Sequence, residues 1–252
     1  MPDSYVAKYH PSHRRTVGRP MRSMGLLSLF TIGFLLLAGP ASATVVAWWH
    51  MDETQGATTM VDSSATGANN GTIVGNVTTG VPGLVSGGAY QFTGKSSYVE
   101  VPDVGDSLDP FSHNMSITAS VRTFGGVMTE DSYDLVRKGV TTTQGGMWKM
   151  EIKRGTGGTL GKLNCVFKGV MPDGKRVAVA RMSNINLNDG LTHTIKCIKT
   201  PTSVQAVVDG RVYTKTQPTG WINNSLPTIV GAKAGTDDFL HGTLDEVVID
   251  IG

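Results

Sequence analysis

Helical periodicity is almost absent after residue 44. In its place stand short runs rich in Val, Ile, Thr, Tyr and Phe, broken by Gly, Asp, Asn and Pro. Such runs are too short for helices and suit strands with one buried face. They predict strands at 44–50, 88–92, 97–101, 115–122, 133–138, 148–154, 162–168, 175–181, 192–199, 203–208, 226–230 and 244–250. In 115–122, Met115, Ile117, Ala119 and Val121 share one face, and in 192–199 Ile195 and Cys197 do. Asp209-Gly210 after 203–208 is a strong hairpin signal. A dozen short strands at this spacing predict an all-β sandwich or barrel, and residues 44–252 are a normal length for one such domain.

Composition narrows the role. Apolar residues make up 39% and charged residues 17% of the 252, too apolar and too weakly charged for a disordered chain. Glycine, at 32, follows no collagen period. The net charge of +2 is unevenly placed. Lys8, Arg14, Arg15, Arg19 and Arg22 stand against Asp3 alone in 1–43, so the remainder carries about −2 and has no general attraction for nucleic acid or anionic membrane.

Residues 26–39, LLSLFTIGFLLLAG, are uncharged and shorter than the roughly 20 apolar residues of a spanning helix. Basic residues precede the run and Ala41-Ser42-Ala43 follows it. This is the layout of a secretory signal peptide. It predicts cleavage after Ala43, a leader over 1–43, one domain over 44–252, and an exported, extracellular product with no membrane span. An uncleaved anchor is the alternative, and Arg14-Arg15 leaves the export route open between the general and the twin-arginine pathway. Export puts the two cysteines, Cys165 and Cys197, in a disulfide-permissive compartment where only one pairing exists. The expectation is a structural bridge between two strands; two separate buried thiols are the alternative.

No sequence signal points to catalysis. A retaining glycosidase needs two carboxylates about 5–5.5 Å apart. The nearest stretch, 245–250, has Asp245 and Glu246 on opposite faces of a strand and Asp250 at the wrong spacing, which reads as an acidic last strand. No G-x-S-x-G, H-E-x-x-H, C-x-x-C or phosphate-binding glycine loop occurs. His193, on a strand, reads as a hydrogen-bonded strand residue. The expectation is a binding module with no catalytic residues. A sugar site on a sandwich needs an aromatic face and polar groups for hydroxyls. Trp48 and Trp49 are adjacent on a strand and face opposite ways. Trp221, in the polar stretch PTGWINNS, and Trp148, after a Gly-Gly loop, are the candidate ligand contacts. Asn223 and Asn224 would supply amide donors and acceptors.

Several segments follow one pattern in order: 47–56 (AWWHMDETQG), 61–71 (VDSSATGANNG), 87–102 (GGAYQFTGKSSYVEVP), 117–122 (ITASVR), 134–139 (DLVRKG), 187–197 (LNDGLTHTIKC), 207–210 (VVDG) and 242–249 (GTLDEVVI). Together they resemble the laminin G-like (LamG) jelly-roll domain of the concanavalin A-like lectin/glucanase superfamily, in its exported bacterial form. The resemblance spans nearly all of 44–252. It departs at Thr192, where the family usually has an aromatic residue before the histidine, and in the 62–71 loop, where one glycine is replaced. It implies a two-sheet antiparallel jelly-roll sandwich and recognition of a glycan, a cell surface or a matrix component, with a protein-binding or structural surface role as the alternative and a glycan hydrolase behind both. In related domains the first loop and the last strand approach one another and hold a structural calcium. By that resemblance Asp62, Asn70 and Asp245 are the metal candidates; the alternative is an Asp245 hydrogen-bonded to backbone amides of the first loop.

Overall fold

A computed structural model describes residues 43–252, and all but the last residue of the expected leader lies outside them. Among the described residues there are sixteen strands, numbered β1 to β16 in chain order, and no helix. They form two antiparallel eight-stranded sheets. In the first, the order is β14 (Arg211–Thr216), β13 (Ser203–Val208), β12 (His193–Lys199), β7 (Met115–Thr123), β16 (His241–Ile251), β5 (Gly88–Thr93), β4 (Thr78–Pro82). The free edge of β16 is shared: residues 241–244 pair with β5, and residues 247–251 pair with β1 (Thr44–Trp49). The second sheet runs β11 (Arg176–Met182), β10 (Gly161–Val170), β9 (Met147–Arg154), β8 (Ser132–Lys138), β15 (Thr228–Val230), β6 (Ser97–Val101), β3 (Gly71–Gly75), β2 (Thr59–Met60).

This is a sandwich, one of the two architectures that the pattern of short runs implies, and the two-sheet antiparallel jelly roll that the resemblance implies. All twelve expected strands form, within two or three residues at their ends. Four additional strands carry weak signals. β2 has two residues, β3 begins and ends on glycine, β4 holds Gly80 and Pro82, and β14 is an exposed edge of Arg, Thr and Lys. Each relies on a neighbour's ladder, with single side chains such as Met60 of β2 and Ile73 of β3 reaching the core. The hairpin at Asp209-Gly210 forms as a two-residue turn joining β13 to β14, with both residues at positive φ, 48° and 79°, as a type I′ turn requires.

The inward faces of both sheets meet in one core. Ala47, Trp49, Phe92, Ile117, Val121, Trp148, Phe167 and Ile249 lie within it. Period-two alternation explains most of the membership: Met115, Ile117, Ala119 and Val121 are all buried, as are Ile195 and Cys197. Trp48 and Trp49 do face opposite ways. Trp49 is buried and its Nε1 donates to the Asn69 carbonyl at 2.8 Å. Trp48 stays part-exposed, donates from Nε1 to Glu246 at 2.7 Å and lies against His50. Cys165 and Cys197 are bonded, joining β10 in the second sheet to β12 in the first.

Candidate functional site

Trp221 is placed by backbone pairing. Its N–H donates to the Val170 carbonyl and its own carbonyl accepts from Val170 N, both at 2.8 Å, while Ile222 exchanges the same pair of bonds with Phe111. The short extended segment therefore alternates: Ile222 enters the core and Trp221 turns out, 50% exposed. Two glycines permit the close approach. Gly220 has φ +76°, and a Cβ there would lie 2.5 Å from the Val170 carbonyl oxygen; one on Gly169 would lie 2.5 Å from that of Thr219. The Trp221 ring rests against Phe111, centroids 4.9 Å apart.

Trp221 forms one wall of a cleft of about 480 Å³. Met171, Pro172, Pro201 and Pro218 supply further apolar wall, and Lys199 lies at its base. Val170 ends β10 and Lys199 ends β12, so the cleft spans one end of the sandwich, where both sheets stop. An aromatic face beside rigid prolines suits the flat, apolar side of a sugar ring.

The neighbouring candidates are placed elsewhere. Trp148 is completely buried, its Nε1 donating to the Leu108 carbonyl at 3.0 Å. It shares the inward face of β9 with Met150 and Ile152, and it is a core residue rather than a ligand contact. Asn224 is also buried. Its Nδ2 donates to the Gly146 carbonyl and its Oδ1 accepts from Leu226 N, so its amide is spent on the fold. Asn223 is half-buried, its N–H donates to the Gly145 carbonyl, and it does not line the cleft. Sequence adjacency grouped these asparagines with Trp221; Asn224 turns inward with Ile222, while Asn223 shares the parity of Trp221 but lies outside the cleft lining.

Lys199 is the site residue that the sequence reading missed. It is 1% exposed, and its Nζ donates to the His113 carbonyl at 2.7 Å. Burial alone pushes its pKa down to about 8. A signal for it existed, because Lys199 continues the inward parity of Ile195 and Cys197.

The three metal candidates do not form one set. Asp62 accepts four hydrogen bonds, from the backbone N–H groups of Trp48, Ser64 and Asn69 and from the Ser64 hydroxyl. Asn70 Oδ1 accepts from Asp62 N at 2.7 Å. Both are consumed in shaping their own loop and do not fit a cation. Asp245 is different: Oδ2 accepts from Leu84 N and Val85 N, at 2.8 and 3.1 Å, and the buried Oδ1 has no partner. Its burial raises its pKa against those two hydrogen bonds. The amides thus come from the 83–87 turn and not from the first loop, and Oδ1 of Asp245 alone is left without a donor. A second acidic group, Asp103, Asp106 and Asp109, gathers within 4.8 Å, but the Lys138 ammonium already lies against Asp103 and Asp109 and against the Asn224 carbonyl.

Strand pairing also creates a carboxylate pair invisible in the sequence: Asp134 on β8 stands opposite Glu151 on β9. Burial raises Asp134 to about 6 despite Arg137 and Lys149, while Glu151 is held below the usual range, its burial outweighed by the Lys149 ammonium and the Asn164 amide. Divergent pKa values across a carboxylate pair are what an acid and a base need. Here both carboxylates are buried and matched by cations, Arg137 against Asp134 and Lys149 between Asp134 and Glu151, so neither presents a face to a substrate.

No family model matches the sequence, and no curated protein matches it. Solved structures share its fold. The binding domain of Paraclostridial Mosquitocidal Protein 1 superposes with a TM-score of 0.59 at 15% identity, over 82% of this chain and 48% of that one. The botulinum neurotoxin serotype G binding domain gives 0.56 at 15%, over 82% and 47%. Domain 4 of an extracellular arabinanase from Geobacillus stearothermophilus, solved with arabinotriose, gives 0.58 at 16%, over 83% and 93%. The chain spans about half the length of the two toxin binding domains and nearly all of the arabinanase domain. Two are binding domains by description and the third is a domain of an arabinanase, and at these identities the likeness is one of fold.

Proposed function

We propose that the chain is an exported, non-catalytic recognition module of laminin G-like type that binds a saccharide in the Trp221 cleft. The observation that carries this is a half-exposed tryptophan, rigidly held by backbone pairing, on an apolar cleft at the end of a lectin-like sandwich. The arabinanase domain solved with arabinotriose and the toxin binding domains support a binding role on this scaffold. The basic-apolar-small pattern of residues 1–43 supports export, with Thr44 as the first mature residue. One shallow site gives weak binding, micromolar to millimolar, or about −8 to −4 kcal/mol. A glycan-array screen of the purified protein, repeated with Trp221→Ala, tests the reading. Glycan binding lost in the variant sustains it; release of reducing sugar from a polysaccharide refutes the non-catalytic part, and Glu151, Glu246 and Asp250 are then the carboxylates to replace first.

The protein-binding alternative rests on a different surface. Phe124, Val127, Leu160 and Leu191 are exposed on three loops at the 124–128, 155–160 and 186–191 turns. Asn188 ties these loops together, its Nδ2 donating to the carbonyls of Gly126 and Thr159 at 2.8 and 3.2 Å. An apolar patch held rigid in this way suits a protein partner.

A further inference from the structure

We propose that the ligand of the Trp221 cleft is an acidic saccharide, its ring on Trp221 and its carboxylate against Lys199 Nζ. The inference rests on the reading of the cleft as a sugar site and adds the charge of the sugar.

Among the described residues two lysines are fully buried, and the fold treats them differently. Lys138 Nζ lies against two carboxylates, Asp103 and Asp109, and the Asn224 carbonyl, so charge and donors are both satisfied. Lys199 Nζ has one acceptor, the neutral His113 carbonyl, and forms no ion pair among the described residues. An ammonium has three donors to place, and a buried charge without a counter-ion is costly. Lys138 is sealed inside the protein, whereas Lys199 lies at the base of the cleft. The uncompensated cation therefore belongs to a residue that lines the cleft, and a ligand's carboxylate would have to meet it at a side chain only 1% exposed.

The surroundings favour an anion brought from outside. Val170, Met171, three prolines and Trp221 make the cleft wall largely apolar, so a charge pair formed there is weakly screened. Pro172, Pro201 and Pro218 are pre-shaped and lose little freedom on binding. The domain's net charge of about −2 gives no long-range attraction for acids. Selectivity for an acid would thus come from Lys199 locally. A simple carboxylate would leave the aromatic wall uncovered; a carboxylated sugar ring uses both features.

The test is titration calorimetry with oligosaccharides of galacturonic, glucuronic and mannuronic acid, each paired with the same oligosaccharide after its carboxyls are reduced to alcohols. At least one acid should bind about tenfold or more tightly than its reduced partner, the scale of one charge-assisted hydrogen bond. Lys199→Met keeps the apolar stem and removes a buried charge, so it should fold, as an unchanged melting transition would verify. In it the difference within the pair should vanish, whereas Trp221→Ala should weaken both members. Equal affinity within every pair, or a difference that survives Lys199→Met, overturns the acidic ligand and leaves the cleft reading standing on its neutral glycans. If Trp221→Ala alters binding of no glycan, acidic or neutral, the cleft reading falls and this inference with it.

Discussion

Cys165 and Cys197 are bonded between the two sheets, their Cα atoms 5.4 Å apart, so the single disulfide crosses the core instead of joining neighbouring strands of one sheet. It ties β10 to β12, the two strands whose ends frame the Trp221 cleft. The bridge closes a loop of 32 residues, for which the chain-entropy account gives about 3.5 kcal/mol.

Replacing Cys165 with Ala should therefore lower stability by about 2–5 kcal/mol in denaturant unfolding. Intact mass of the wild type should rise by two hydrogens, about 2 Da, on reduction. Two alkylatable thiols in unreduced, denatured protein would contradict the bridge.

The two candidate tryptophans should respond oppositely. Trp148→Ala empties a buried site and should cost about 3–5 kcal/mol. Trp221→Ala should leave the unfolding midpoint nearly unchanged and reduce glycan affinity. A Trp148 variant of wild-type stability would remove that residue from the core.

Gly220→Ala should resemble Trp221→Ala in binding, because its Cβ would collide with the Val170 carbonyl at a positive φ and displace the tryptophan. Such a strained position costs roughly 1–3 kcal/mol. Unaltered stability and binding in this variant would show that the 218–222 segment is not held as described.

Asp245 and Asp62 should separate in calcium. If Asp245 Oδ1 takes part in a calcium site, calcium over chelator raises the melting temperature, since a ligand bound only to the native state stabilises it. Asp245→Asn, which alters the carboxylate with the unpartnered oxygen, should abolish the response. Asp62→Asn removes acceptors from buried amides and should cost about 1–3 kcal/mol with or without calcium. A melting curve indifferent to calcium would leave Asp245 simply capped by Leu84 and Val85.

His193 makes stability pH-dependent. Burial lowers its pKa, but contacts to Asp209 at 2.7 Å and Asp189 at 3.2 Å outweigh this and raise it overall. Asp189 is lowered in turn: its burial is overcome by the Leu191 N–H and His193. A histidine whose folded pKa is raised contributes fully below the unfolded value of about 6.5, and the contribution is lost as pH rises through the folded value. Urea midpoints should fall across that window in the wild type, and less so in His193→Gln. Identical profiles would show that the pair does not form.

What the sequence by itself determined was local and periodic. Alternation placed Ile117, Val121, Ile195 and Cys197 inside, because a strand's side chains must alternate wherever one face is dry. Asp209-Gly210 specified its turn because few residues tolerate two successive positive φ angles. The count of cysteines allowed one bridge. Tertiary structure decided whatever depended on which strands meet. Parity and burial put Trp148 in the core and Trp221 at the surface, although both follow glycines in loops of similar composition. Asp62 in the first loop and Asp245 on the last strand were both metal candidates, yet one is filled by four donors and the other keeps a bare oxygen. Strand parity already turned Lys199 inward, but that no carboxylate meets it, and that Asp134 stands opposite Glu151, depends on neighbours far away in the chain. A carboxylate's or an ammonium's chemistry is set by what surrounds it, and those surroundings come from the packing of two sheets rather than from adjacent residues.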